Sequence, residues 1–301
     1  MRKKLVLAGI VAAAALTLTA CGGGDPMSSG GDDTDASGKV IVGSADFAES
    51  QLIATIYSQA LQNAGIEVEE KLNIGSREVY LEALRDGSIN LLPEYSGSLL
   101  AELGGDPHDD AGIRKQLDEL LEPDGLMVLD ESEAEDADTL VVTADIAKKH
   151  DLKNISDLAP IAGELVLAGP AEWKSRFEGV PGLKEVYGIE FREFKVLDAG
   201  GPLTLSALQN GQAQVGDMFS SDPAIGENDL VALVDDKQLF PPANVLPVLS
   251  KSIATDEVKT TLNAVSAALT TDDLMEMNGR VAAGDDIGQV ATDWIAANNL
   301  S

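Results

Sequence analysis

The chain has 301 residues, with 51 Asp and Glu against 21 Lys and Arg and a formal net charge of −30. A surface this acidic repels phosphate backbones and anionic headgroups, which argues against nucleic acid as a partner and against electrostatic adsorption to a membrane. One cysteine, Cys21, leaves no internal disulfide.

Met1 to Ala20 predicts a targeting segment. Arg2, Lys3 and Lys4 form its charged start, and Leu5 to Leu18 form an apolar core too short for a comfortable permanent span. Leu18-Thr19-Ala20-Cys21 has the apolar, small, small, cysteine order of a bacterial lipobox. It predicts cleavage before Cys21 and acylation of that residue. Residues 21–38 are rich in Gly, Ser and Asp and lack apolar periodicity, so they predict a flexible tether. Together these features place the body on the extracytoplasmic face of a cell membrane, held by a lipid anchor only. About 260 residues remain, enough for two lobes with their own cores.

The first strand is expected over Lys39–Val42, ending at Gly43-Ser44-Ala45, and Asp46 with Glu49 predicts a capping box for the helix that follows. In that helix Leu52, Ile53, Ile56, Tyr57, Ala60 and Leu61 recur at helical spacing, which assigns Tyr57 to the core. A strand over Ile66–Leu72 and a helix from Ser76 to Gly87 come next. Ile89–Leu92 reads as a buried strand ended by Pro93, with Tyr95 at its edge and a helix starting near Ser96-Gly97-Ser98. The spacing leaves free backbone N–H groups at that helix start, at a sheet edge where α/β proteins bind ligands. A helix over Ile113–Leu121, a strand over Met127–Leu129 and a solvated acidic connector over Glu131–Asp138 complete the first half.

Thr139–Thr143 is expected to cross into the second half, where strands are predicted over Glu164–Ala168, Phe191–Leu197, Gln214–Met218 and Leu230–Val234. Asn244–Leu249 is expected to cross back, and three helical stretches finish the chain. The halves echo each other. Ala83-Leu84-Arg85-Asp86-Gly87 leads to Tyr95-Ser96 as Ala207-Leu208-Gln209-Asn210-Gly211 leads, without a gap, to Phe219-Ser220. Val42-Gly43 with Phe47 likewise faces Ala168-Gly169 with Trp173. The pattern predicts two similar α/β halves with Phe47, Tyr95, Trp173 and Phe219 near strand ends on facing lobes.

Catalytic signatures are missing from the sequence. Neither His108 nor His150 lies near a nucleophile motif, and no G-x-S-x-G, phosphate loop or metal-spaced His/Cys cluster occurs. The reading is therefore not an enzyme, with no metal and no cofactor. Carboxylate chemistry on the same scaffold and ligand sensing without transport stay open as alternatives.

Val42 to Gln51, Gly75-Ser76-Arg77, the run from Leu84 to Ser98 with Pro93-Glu94-Tyr95-Ser96-Gly97-Ser98, Pro181-Gly182-Leu183, Leu230 to Asp236 and Phe240-Pro241-Pro242 occur in an order that carries a resemblance. The chain resembles the substrate-binding lipoproteins of ABC importers for glycine betaine, choline, carnitine and proline betaine (ProX/OpuC-type). The resemblance implies a two-lobed, type II periplasmic-binding-protein-like α/β fold. Its lobes are 39–137 with 244–301 and 138–243, joined by two crossovers with a ligand cleft between them. It also implies a small-molecule solute, ABC permease and ATPase subunits as partners, and a monomer. Relatives hold a trimethylammonium head in a tyrosine cage. Tyr95 matches one cage position and Phe219 another, Thr139 and Ala243 stand where further rings are expected, and Ala45 replaces a basic residue. Ser98 keeps a hydroxyl, Arg176 matches an arginine that pairs with a ligand carboxylate, and Trp173 supplies ring area from the second lobe. Ser44 completes the expected set at the first strand's end. Asp46, Asp138, Asp217 and Asp222 offer a counter-charge for a cation, although Asp also favours helix caps. The incomplete cage leaves a larger, non-betaine solute as the alternative ligand.

Overall fold

Two five-stranded mixed sheets organise the computed structural model, which describes residues 38–109 and 112–300. The targeting segment, Cys21 and nearly all of the tether lie outside the described residues. Along the chain the strands are β1 (Val40–Gly43), β2 (Val68–Lys71), β3 (Leu91–Tyr95), β4 (Leu126–Val128), β5 (Asp138–Thr143), β6 (Val166–Gly169), β7 (Glu193–Val196), β8 (Val215–Phe219), β9 (Leu230–Ala232) and β10 (Val245–Ser250). The helices are α1 (Ala48–Asn63), α2 (Arg77–Arg85), α3 (Ser96–Glu102), α4 (Ile113–Leu121), α5 (Ala144–His150), α6 (Val180–Tyr187), α7 (Pro202–Gln209), α8 (Ala224–Glu227), α9 (Asp256–Ala268), α10 (Thr271–Ala282) and α11 (Ile287–Ala297). Among the described residues no helix is long and apolar enough to cross a membrane.

The first sheet has the order β2-β1-β3-β10-β4 and the second β7-β6-β8-β5-β9. In each, three parallel strands are followed by an antiparallel crossing strand and a short edge strand. The repeat read from the sequence is therefore a structural one. Tyr95 and Phe219 are the last residues of topologically equivalent strands, β3 and β8. The strands that cross between lobes, β5 and β10, pair with these same two strands.

Each lobe has its own core. Leu52, Ile53, Ile56, Tyr57 and Leu61 on α1 are fully buried in a cluster with Val265, Val290 and Trp294 from the C-terminal helices. Burying side chains of this size stabilises by about 1.5–3 kcal/mol each. In the second lobe Leu140, Val142, Leu167, Trp173, Leu183 and Val215 form the corresponding cluster.

Four local expectations are corrected. Pro93 does not end its strand; it lies inside β3, opposite Pro247 of β10. Ser96 N–H donates to the Asn244 carbonyl, so alternation along the ladder makes Pro93 and Pro247 a pair that exchanges no hydrogen bonds with each other. The N–H groups that open α3 are not free either, because Gly97 N–H donates to the Pro242 carbonyl. A Cβ on Gly97 would sit 2.3 Å from that carbonyl oxygen, so glycine is required there. The connector after β4 is only half solvated: Glu131, Glu133 and Glu135 are exposed, but Ser132, Ala134 and Asp136 between them are buried, and its backbone bonds to the returning crossing at Ala243 and Val245. Finally, α1 has Phe47 at its N-cap without a side-chain cap, and Glu49 is committed elsewhere.

Candidate functional site

The carboxyl ends of β1, β3, β6 and β8 converge on a cavity of about 50 Å³ between the two sheets. Because successive strands leave their turns at this edge, the first residues of the following helices also reach it. Phe47, ahead of α1, is one of the residues that line it. The Phe47 ring lies 6.1 Å from Tyr95 and 5.1 Å from Phe219, tilted by 32° and 34°. Phe47 thus bridges Tyr95 of the first lobe and Phe219 of the second. Trp173 lines the cavity as well but is 1% exposed and stacks on Phe240 at 6.0 Å, so most of it belongs to the second core.

Beneath the rings lies a buried polar knot. Tyr95 donates its hydroxyl to Glu49 Oε1 at 2.7 Å, Ser221 donates to Glu49 Oε2 at 2.6 Å, and Asn278 donates to the same oxygen. Ser221 N–H donates to Asp136 at 2.8 Å. Burial, reinforced by the Glu49 charge, pushes both the Tyr95 hydroxyl and the Asp136 carboxyl well up from their ordinary values. The knot ties α1 and β3 to the segment after β8, which holds Tyr95 and Phe219 in register.

Two arginines reach the cavity, and each already has a carboxylate. Arg77 donates two hydrogen bonds to Glu94, at 2.9 and 3.0 Å, and Glu94 also accepts from the Tyr80 hydroxyl at 2.7 Å. Glu94 is fully buried. Arg176 donates two hydrogen bonds, both 3.0 Å, to Glu78 of the opposite lobe. Burial alone raises Glu78, but the Arg176 hydrogen bonds hold its carboxyl down at about 2.

Acids line the other wall. Asp217, on β8, is 0% exposed, and its side-chain partner is the carboxyl of Asp138, a hydrogen bond that needs one of the two acids protonated. Leu140 of β5 stands opposite Asp217, so Asp138, two residues earlier on β5, is its diagonal neighbour on the same face. Burial, then the negative charge of Asp138, pushes the Asp217 carboxyl well up. Asp138 is pushed up to about 6, first by burial and then by Glu178. Asp138 also borders a larger cavity of about 370 Å³, lined by Thr139, Phe240, Pro241 and Pro242 where the crossings pass. The candidate site is the smaller cavity, because the ring faces and charged groups converge there.

Of the residues expected from the sequence, Tyr95, Phe219, Ser98, Asp46, Arg176 and Trp173 line this cavity together. Three do not. Ser44 is fully buried and turns toward the loop after β2, accepting from Asn73 N–H at 2.8 Å. Thr139 faces the larger cavity instead, and Asp222 accepts from Ala224 N–H at 2.8 Å ahead of the short helix α8. The sequence reading assigned no site role to Arg77, Glu78 or Tyr80, and gave Glu49 only a place in a helix cap. Arg77 and Glu94 lie in the very motifs that carried the resemblance, which was their one available signal.

Residues 38–297 match the family described as the substrate binding domain of ABC-type glycine betaine transport systems, OpuAC. The chain belongs to this family. Among its relatives, the carnitine transport binding protein OpuCC of Listeria monocytogenes is 27% identical over 265 residues, covering 83% of this chain and 82% of that one. The glycine-betaine-binding protein of Pseudomonas aeruginosa is 27% identical over 275 residues, covering 86% and 88%. A solved structure titled as a glycine betaine/carnitine/choline ABC transporter superposes with a TM-score of 0.69 at 25% identity, covering 87% of this chain and 99% of that one. These likenesses span both sheets, and the type II binding-protein fold of two α/β lobes is that of the family.

Proposed function

We propose that the chain is an extracytoplasmic, lipid-anchored solute receptor of an ABC importer. It binds a quaternary-amine solute between the lobes 39–137 with 244–301 and 138–243. The observation that carries this reading is the meeting of Phe47, Tyr95 and Phe219 from both lobes beside the acids Asp46, Asp138 and Asp217. A methylated cation gains about 0.5–2 kcal/mol over each well-placed ring face and asks for no hydrogen bond in return. Family membership and the named roles of the Listeria and Pseudomonas relatives support the same class.

Arg77, Tyr80, Glu94 and Glu49 orient the rings rather than touch the solute, in this account. The crossings act as the hinge, and the closed monomer presents its solute to the permease, whose transport the ATPase drives. The reading contains no catalytic step. Calorimetric titration with choline, glycine betaine and carnitine tests it: one of them should bind saturably at one site, and no heat from any of them contradicts the solute class. Cys21→Ser should leave an unprocessed precursor or release the body from the membrane. Retention at the processed size contradicts the anchor.

A further inference from the structure

The two chain crossings run side by side just before β5 and β10, where Asp136 N–H donates to the Ala243 carbonyl at 3.0 Å. A third segment is sewn into the same place. Ser220 and Ser221 follow β8 in the second lobe. Ser220 N–H donates to the Ala137 carbonyl at 2.9 Å, and its hydroxyl accepts from Ala137 N–H at 2.9 Å. Ser221 is 1% exposed, and its N–H and hydroxyl are spent wholly on the first lobe. The N–H donates to Asp136, the hydroxyl donates to Glu49, and its oxygen accepts from Asn278 at 3.1 Å.

Opening the lobes costs unequal amounts at their two polar contacts. Glu49 and Asp136 are buried, so pulling Ser221 away would leave two buried carboxyl groups short of a donor each, which is expensive. The Arg176–Glu78 pair is partly exposed, so its partners regain water as they part. A rotation that spares the first contact and breaks the second has its axis at Ser221. Phe219 is two residues from that axis, and Tyr95 donates its hydroxyl to the same Glu49 carboxylate. Both rings therefore move little as the lobes open.

We propose that Ser221 is the pivot of lobe closure, a third and non-covalent connection beside the two crossings. As a positioning residue it keeps the Phe219 and Tyr95 rings on either side of Phe47 in the open form as well as the closed one. This rests on the closing receptor proposed above and adds where its axis runs.

Solution scattering and stopped-flow titration on the full-length chain test the pivot, with choline as the probe and Trp173 fluorescence as the signal. Ser221→Ala removes the hydroxyl. Asn278→Ala is milder, taking one donor from the half-buried edge of the knot. Both should raise the ligand-free radius of gyration above that of the parent. Both should also slow choline association, by about fivefold in Ser221→Ala, because fewer open molecules hold the rings together. Glu78→Gln, which loosens the contact away from the axis, should speed association instead. Parent-like radius and association rate in both alanine variants overturn the pivot. A lowered melting temperature with parent-like radius and rate also overturns it, because the knot then only stabilises. Choline that fails to bind the parent counts against the quaternary-amine reading alone, and the ligand-free scattering still decides the pivot.

Discussion

Glu78→Gln tests whether the lobes are latched by their own ion pair. Arg176 reaches from the second lobe to Glu78 on α2 with two hydrogen bonds of 3.0 Å. Against the ordinary value of 4.5, the Glu78 carboxyl at about 2 corresponds to roughly 3 kcal/mol of interaction. Its side chain is 40% exposed, however, so solvent screening reduces this to about 1 kcal/mol. Losing ~1 kcal/mol from the closed arrangement raises the open fraction about fivefold. Solute enters through the open form, so its association rate should rise by a similar factor. Stopped-flow fluorescence reads this through Trp173, which lines the cavity. Glu78 has a depressed value, so the latch is fully present above about 4.5 and is lost only as pH falls through about 2. The rate difference should therefore be constant from pH 5 to pH 8. Glu82→Gln, which breaks a pair with Arg85 on the same helix, serves as the control. An association rate unchanged by Glu78→Gln, or raised equally by Glu82→Gln, refutes the latch.

Glu94→Gln should destabilise the protein by about 3–5 kcal/mol in urea titrations, because it strands the buried Arg77 guanidinium; a loss under 1 kcal/mol contradicts that pairing. Asp138 gives the site a pH dependence. Its carboxyl is raised to about 6 by burial and then by Glu178, against the opposing charges of Arg176 and Arg77. Its contribution to ligand-free stability is therefore present below its ordinary value of 3.8 and is lost as pH rises through about 6. Cation affinity should run the other way, weakening as pH falls through that range, by up to about tenfold at pH 5. Affinity that stays flat from pH 8 to pH 5 contradicts a role for this acid.

The parts legible in the sequence were those written in local grammar. Strand, glycine and helix recur in the same order in both halves, and Tyr95 and Phe219 fall at equivalent strand ends, so the two sheets and the ring cluster followed from spacing. What escaped depends on partners distant in sequence. Arg176 lines the cavity as expected, but its partner there, Glu78, is 98 residues away and left no local signal. Pro93 looked like a strand end because a single strand cannot show that Pro247 lies opposite it. Backbone donors at the start of α3 looked available until the second crossing closed over them. Ser44 and Asp222 were placed near the cleft by position, yet Asp222 is taken up by the N–H of Ala224 two residues on, as such residues favour, and Ser44 by the N–H of Asn73, 29 residues away.

The central claim is that a cation sits on the rings where the two halves of the repeat meet. Calorimetry of Tyr95→Ala and Phe219→Ala with choline tests it most directly, with Tyr57→Phe in the α1 core as the reference. Each ring deletion should cost about 1–3 kcal/mol of binding, and Tyr95→Phe should cost less than Tyr95→Ala because the ring face survives. Tyr57→Phe should leave affinity unchanged, since that side chain is wholly buried in the first core. Parent-like affinity in both alanine variants, with folding intact, would contradict the site.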